Sequence, residues 1–232
     1  MLDLVAGFNV INDSYLYFCI FGGDAAGYSG ALLPEADMTR SSEAARSTKE
    51  TQVRIKLTID GDGITRVTTG IPFFDHMLTL FAVHGLFDLT VAATGDLDVD
   101  HHHTVEDVGL VLGDAFRGAL GERTGIRRYG HAVTPMDEAL TSVSVDLSNR
   151  PFLVYHTAGL VGSGTKFDIS LAKEFFRAFA NRCGMNLHIN VHYGENPHHV
   201  IESMFKAAGR ALDEAASRDG RIKGVRSTKG SL

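Results

Sequence analysis

The sequence predicts an internally duplicated α+β fold: two similar halves, each a small β-sheet with two helices on one face, with the helices packed between the sheets. Three observations carry this. The cluster His102-His103-x-x-Glu106 returns 96 residues later as His198-His199-x-x-Glu202. Each copy opens a segment of helical periodicity, and each follows signals in the same order: strands, helix, strand, loop. The segment after the first copy carries Gly109, Gly113, Ala115, Gly118 and Ala119, small residues that let another helix pack close.

Taken in order, residues 1–37 differ from the rest. No Lys or Arg occurs before Arg40, and the longest apolar run covers only 15–21, far short of the roughly 20 residues of a membrane span. A secretory signal would need a basic start. Residues 1–47 are therefore read as an N-terminal extension without fixed structure, with Met38 as the alternative start.

The first half is assigned to 48–133. Val53, Ile55, Leu57 and Ile59 alternate with Arg54, Lys56 and Thr58, a half-buried strand. Asp60-Gly61-Asp62-Gly63 is a turn signal, and 64–69 returns as a strand, so a hairpin is expected. Phe73, Phe74, Met77, Leu78, Leu80 and Phe81 recur at helical spacing, with Gly85 as the stop. A strand over 87–93, an acidic His-rich loop over 96–103 and a helix over 104–120 complete this half.

The second half is assigned to 134–217, although strand-like sequence begins at 127. Further strands are expected at 139–147 and 151–156, a helix at 170–182, a strand at 186–192 and a closing helix at 198–216. Residues 218–232 read as a basic tail.

With 232 residues the chain can bury a substantial core. A net charge of −6 with no basic face argues against nucleic acid as the main partner. Cys19 and Cys183 form no CxxC pair and no disulfide framework, so a reducing, cytoplasmic setting is expected.

The repeated clusters carry the chemistry. Helix neighbours i and i+1 point about 100° apart, so adjacent histidines are poorly placed to grip one ion together. Giving each His to a different metal is simpler, with the spheres completed from elsewhere. A histidine-rich helix start without an ion explains one copy as well; two copies favour a metal pair. Aligning the halves sets His76 opposite Glu174, one further ligand-type side chain on each first helix. By itself Glu174, flanked by Lys173 and Arg177, reads as a solvated charge, and His76 reads equally well as a capped or core histidine.

The motifs GIPFFDHML (70–78), DHHHTVEDVG (100–109), RRYG (127–130), PMDEA (135–139), DLSNRP (146–151), HYGENPHHVIE (192–202) and STKG (227–230) together resemble the imidazoleglycerol-phosphate dehydratase family over about residues 48–230. The resemblance implies halves of the ribosomal protein S5 domain 2-like kind. It implies manganese-dependent dehydration of imidazole glycerol phosphate to imidazole acetol phosphate in L-histidine biosynthesis. Two Mn²⁺ per active site would stabilise an imidazolate, which answers the difficulty of a C–H bond that is not acidic. A 24-subunit shell with active sites shared between neighbours is also implied.

Position by position, the resemblance puts metal ligands at His76, His102, His103, Glu106, His198, His199 and Glu202. The remaining ligand is a histidine in many members and Glu174 here, a departure that adds negative charge, although a carboxylate still suits Mn²⁺. His101 is an extra histidine, read as outside the ligand set. Phosphate binding falls on Arg128, Arg150, Lys206, Ser227 and Lys229, and the 221–229 run becomes a candidate lid. Glu50, Asp137 and Glu202 match catalytic carboxylates: Glu202 for metal binding and proton transfer, Glu50 for the other proton, Asp137 for orienting the ring. No DxDGT-type motif precedes Met38, so no fused phosphatase is expected.

Two other readings compete. A dinuclear metallohydrolase would often carry HxHxDH, which this sequence lacks. A metal-binding shell protein without catalysis would need the clusters but not Arg128, Arg150, Lys206 and Lys229.

Overall fold

The computed structural model describes residues 39–157, 159 and 167–231; the reading of residues 1–37 lies outside them. The element order is β1 (Ser41–Ser47), β2 (Thr51–Thr58), β3 (Thr65–Thr68), α1 (Pro72–His84), β4 (Asp88–Gly95), α2 (His102–Leu120), β5 (Tyr129–Met136), β6 (Ala139–Asp146), β7 (Phe152–His156), α3 (Ile169–Cys183), β8 (Asn186–Tyr193) and α4 (Pro197–Ala216). The duplication is explicit in the sheets. One has the strand order β1-β2-β4-β3 and the other β5-β6-β8-β7. In both, the last-named strand runs parallel to its neighbour and the other pairs are antiparallel.

Each sheet buries one face because its strands alternate. Val53, Ile55 and Leu57 of β2 and Leu89 and Val91 of β4 point inward, as do Val143, Val145, Leu187 and Ile189 in the second sheet. The helices fill the space between, with α2 packed on α3 and α1 on α4. A Cβ on Gly109 would come 2.7 Å from the Phe175 carbonyl oxygen, and one on Gly113 2.8 Å from that of Phe179. The small residues of α2 are thus the condition for its approach to α3. Phenylalanines from all four helices meet at the centre. Phe175 lies 5.4 Å from Phe74 and 5.2 Å from Phe205, and Phe179 lies 5.8 Å from Phe81 and 5.9 Å from Phe116, ring centre to ring centre. Among the described residues no helix is long and apolar enough to cross a membrane.

Three expectations are corrected. Residues 41–47 are not part of a structureless extension: they form β1, in register with β2 from Ser41 opposite Thr58 to Ser47 opposite Gln52. The hairpin partner of β2 is therefore β1 and not β3. The chain after β2 crosses to the far side of β4, where the Asp88 carboxylate accepts from the Asp62 and Ile64 amides, each at 2.9 Å. The second half begins with β5 at Tyr129, ahead of the boundary at 134.

The tail is tied down. Gly125 N–H donates to the Gly224 carbonyl (2.8 Å), Asp219 N–H to the Gly125 carbonyl (2.8 Å), and the Arg226 guanidinium to the Arg127 carbonyl (2.9 Å). It is laid along 124–128 as a wall.

Candidate metal centre and substrate cleft

Both histidine pairs sit in the first turn of a helix, and in both a side chain two residues ahead accepts from the amide of the first histidine. The Asp100 carboxylate accepts from the His102 amide at 2.7 Å, and the Asn196 side chain from the His198 amide at 3.0 Å. The two acceptors repeat at the same 96-residue offset as the histidines. Within a pair the rings stand apart: His102 and His103 are 6.0 Å apart at 82°, and His198 and His199 are 6.0 Å apart at 75°. Adjacent histidines therefore address different partners.

His198 joins two residues that sequence order keeps distant or on another turn. Ligand atoms of His76, His198 and Glu202 all lie within 4.8 Å of one another, the one such three-donor group among the described residues. His76 comes from α1 of the first half, and the other two from α4 of the second. Glu202 Oε2 is 3.2 Å from His198 Nε2 and 3.5 Å from His76 Nε2. Its Oε1 is 2.6 Å from the Lys206 ammonium. Burial pushes the Glu202 carboxyl up, but Lys206 and the two histidines outweigh it, and the group lies below the ordinary carboxylate range. Two imidazole nitrogens and a carboxylate oxygen converging on one point form a donor set that suits Mn²⁺.

The first copy is arranged otherwise. His102 Nε2 lies 3.7 Å from Glu106 Oε2. Glu174 is ion-paired with Arg177 on its own helix and enters no three-donor group. His103 Nδ1 is 3.0 Å from Asp96 Oδ2 and 3.8 Å from Glu50 Oε2. His199 has Glu138 Oε2 at 2.7 Å from Nδ1 and Asp137 Oδ2 at 3.8 Å from Nε2. The hydrogen bonds to Asp96 and Glu138 raise the pKa of His103 and His199. Glu138, which also accepts from the Asn196 amide at 2.8 Å, is held down at about 2. Sequence reasoning passed over Asp96 and Glu138, which are ordinary loop acids until the fold sets them on a ring nitrogen. Glu50 and Asp137, by contrast, stand where a carboxylate can reach a group bound beside the histidines.

Arg128, Arg150, Ser227 and Lys229 converge on one cleft of about 650 Å³, joined by Arg226. Arg128 is preset there. Its Nε and Nη2 donate to Asp146 at 2.7 and 3.1 Å, its Nη1 to the Arg226 carbonyl at 2.7 Å, and its guanidinium lies 4.9 Å from the Tyr129 ring centre. Four cationic side chains, with Ser148, Ser227, Thr228 and Ser231 around the same opening, suit a phosphate. Lys206 does not line this cleft; it stands on Glu202 and 3.4 Å from the Met136 sulfur.

Comparison with known proteins identifies the family. The family model for imidazoleglycerol-phosphate dehydratase matches residues 69–212. The protein of that name from Desulfosudis oleivorans is 63% identical over 195 residues, covering 84% of this chain and all of the relative. The one from Trichlorobacter lovleyi is 60% identical over the same shares. Among solved structures, the Pyrococcus furiosus enzyme in complex with (S)-C348 matches with a TM-score of 0.71 at 39% identity, covering 81% of this chain and 99% of that one. The Staphylococcus aureus enzyme matches with a TM-score of 0.69 at 36% identity, covering 77% of this chain and 99% of that one. The chain belongs to the imidazoleglycerol-phosphate dehydratase family, and with it to the hydro-lyases.

Proposed function

We propose that this protein dehydrates imidazole glycerol phosphate to imidazole acetol phosphate in histidine biosynthesis, in the cytoplasm, with two Mn²⁺ per active site and as a 24-subunit shell whose sites are shared between neighbours. The observation that carries this reading is the His76–His198–Glu202 trio in the same chain as a cleft of arginines and Lys229. A ligand set alone would suit a metallohydrolase or a metal store. The phosphate-type cleft together with family membership favours the dehydratase.

The ligands would be His76, His102, His103, Glu106, His198, His199 and Glu202. Glu174 is the weakest member, because Arg177 already neutralises it. Bound there, Mn²⁺ would act as a Lewis acid toward the substrate's imidazole and one hydroxyl. The protein's own groups do the rest. Arg128, Arg150, Ser227 and Lys229 hold the phosphate and so orient the substrate. A proton leaves one diol carbon and hydroxide leaves the other, giving an enol that takes a proton on carbon to become the ketone. Glu202, kept ionised by Lys206, serves as ligand and proton acceptor. Glu50 handles the second proton, and Asp137 orients the ring. Lys206 guards the charge of Glu202 until a phosphate or ion draws it away.

Sharing of sites is supported by what one protomer leaves incomplete. Among the described residues the His102–Glu106 pair has no third donor beside it. The test is direct: purified protein, Mn²⁺ and imidazole glycerol phosphate should yield the ketone. Absence of product from metal-loaded protein would overturn the assignment.

A further inference from the structure

We propose that Asp96 and Glu138 are paired positioning residues: each holds the second histidine of its pair by Nδ1 so that Nε2 is presented to metal, and Asp96 thereby releases Glu50 for catalysis. This rests on the reading of His103 and His199 as metal ligands.

The duplication makes the comparison possible within one chain. A Cβ on Gly95 would meet Thr51 and Thr104, and one on Gly194 would meet Ala139 and Val200. Gly95 and Gly194 are thus counterparts, and so are Thr51 and Ala139. The residues just before them, Glu50 and Glu138, then occupy equivalent places at the mouths of β2 and β6. Glu138 lies 2.7 Å from Nδ1 of His199, whereas Glu50 stands 3.8 Å from Nδ1 of His103. The difference is Asp96, at 3.0 Å from that same nitrogen. It comes from a longer loop: six residues separate Gly95 from His102, but three separate Gly194 from His198. In the shorter loop Glu195 follows Gly194 and offers only its backbone amide, at 3.3 Å from Glu138.

The same contact is therefore made twice with non-equivalent side chains. A carboxylate on Nδ1 fixes the N–H there and leaves the Nε2 lone pair outward, as metal-binding histidines require. In the second half the turn carboxylate is consumed by this task. In the first half the added loop takes it over, and the turn carboxylate stays half-exposed and near the histidine without being bound by it.

Mn²⁺ affinity, measured by titration of the metal-free full-length protein, separates these roles from a structural one. Glu138→Ala should weaken Mn²⁺ binding about 10–100-fold, and Glu138→Gln, whose amide oxygen still accepts, should recover most of it. Asp96→Ala should weaken binding less, because Glu50 can move onto Nδ1, but should lower kcat at saturating Mn²⁺. Unchanged Mn²⁺ affinity in Glu138→Ala overturns the positioning role. Unchanged kcat in Asp96→Ala overturns the release of Glu50. A native protein that binds no Mn²⁺ would instead sink the metal reading on which both depend.

Discussion

His76 and Glu202 belong to opposite halves of the duplication, yet Nε2 of the first lies 3.5 Å from Oε2 of the second. The contact exists because α1 packs on α4, where Gly209 lets the helices approach to backbone distance of Phe81 and Gly85. Glu202→Gln keeps the size of the side chain but removes the charge that Lys206 and both histidines face. Turnover should fall about 10²–10⁴-fold with the fold intact. Steady-state kinetics on metal-replete protein checks this, and full activity would rule out the role.

Metal removal should act on assembly. If the ions join ligands from different copies, chelator treatment should break the shell into smaller species, and Mn²⁺ should restore it. Light scattering before and after chelation reads the mass, and a constant mass contradicts shared sites.

The cleft predicts a binding defect rather than a chemical one. Removing residues 226–232 deletes Arg226, Ser227 and Lys229 from its wall and frees Arg128 Nη1 from the Arg226 carbonyl. Charge-assisted hydrogen bonds are each worth about 1.5–3 kcal/mol, so KM should rise by tenfold or more while kcat changes less. The reverse pattern would move the tail from binding to chemistry.

The helix contact predicts a stability defect. A Cβ on Gly113 would stand 2.8 Å from the Phe179 carbonyl oxygen and 2.9 Å from the Cys183 amide nitrogen. These are backbone atoms and cannot rotate away. Gly113→Ala should cost about 1–3 kcal/mol, seen as a lower midpoint in thermal unfolding.

The strand β1 is held at its start by Arg40, whose guanidinium Nε donates to Asp60 at 2.8 Å. This hydrogen bond, set against partial burial, keeps the Asp60 carboxyl below its ordinary value. The stabilisation is therefore complete above the unfolded carboxylate pKa near about 4 and is lost as pH falls through the depressed value. Arg40→Ala should lower stability by about 1 kcal/mol or less at neutral pH, since the pair is partly exposed. The difference between the two proteins should narrow in acid, where the Arg40 Nη1 hydrogen bond to the Ala216 carbonyl (2.9 Å) is the contact that does not titrate. Denaturant unfolding at several pH values checks this, and a constant difference would refute it.

Periodicity made most elements legible. The alternation of β2 and the spacing of Phe74, Met77 and Phe81 follow from the burial they achieve. β1 escaped notice because SSEAARS carries no apolar alternation: it is an edge strand with most of its residues exposed, held by backbone pairing and Arg40. The pairing of β3 escaped because a side chain beyond α1, Asp88, decides where the 60–64 turn goes. At the site, the duplicated HHxxE pointed to His198 and Glu202, and the four-residue spacing from Glu202 to Lys206 already favours the ion pair observed. Asp96 and Glu138 had no such signal, because their meaning depends on loops closing onto rings from other elements.

The trio formed by His76 with His198 and Glu202 has a consequence for what the two halves are to each other. Among the described residues neither half brings three donors together by itself, so the covalent join between them does more than double a surface. It turns what would be an encounter between two polypeptides into an intramolecular certainty. Co-expressed as separate pieces, the halves would have to find one another before a single ion could settle, and ion capture would then become concentration-dependent.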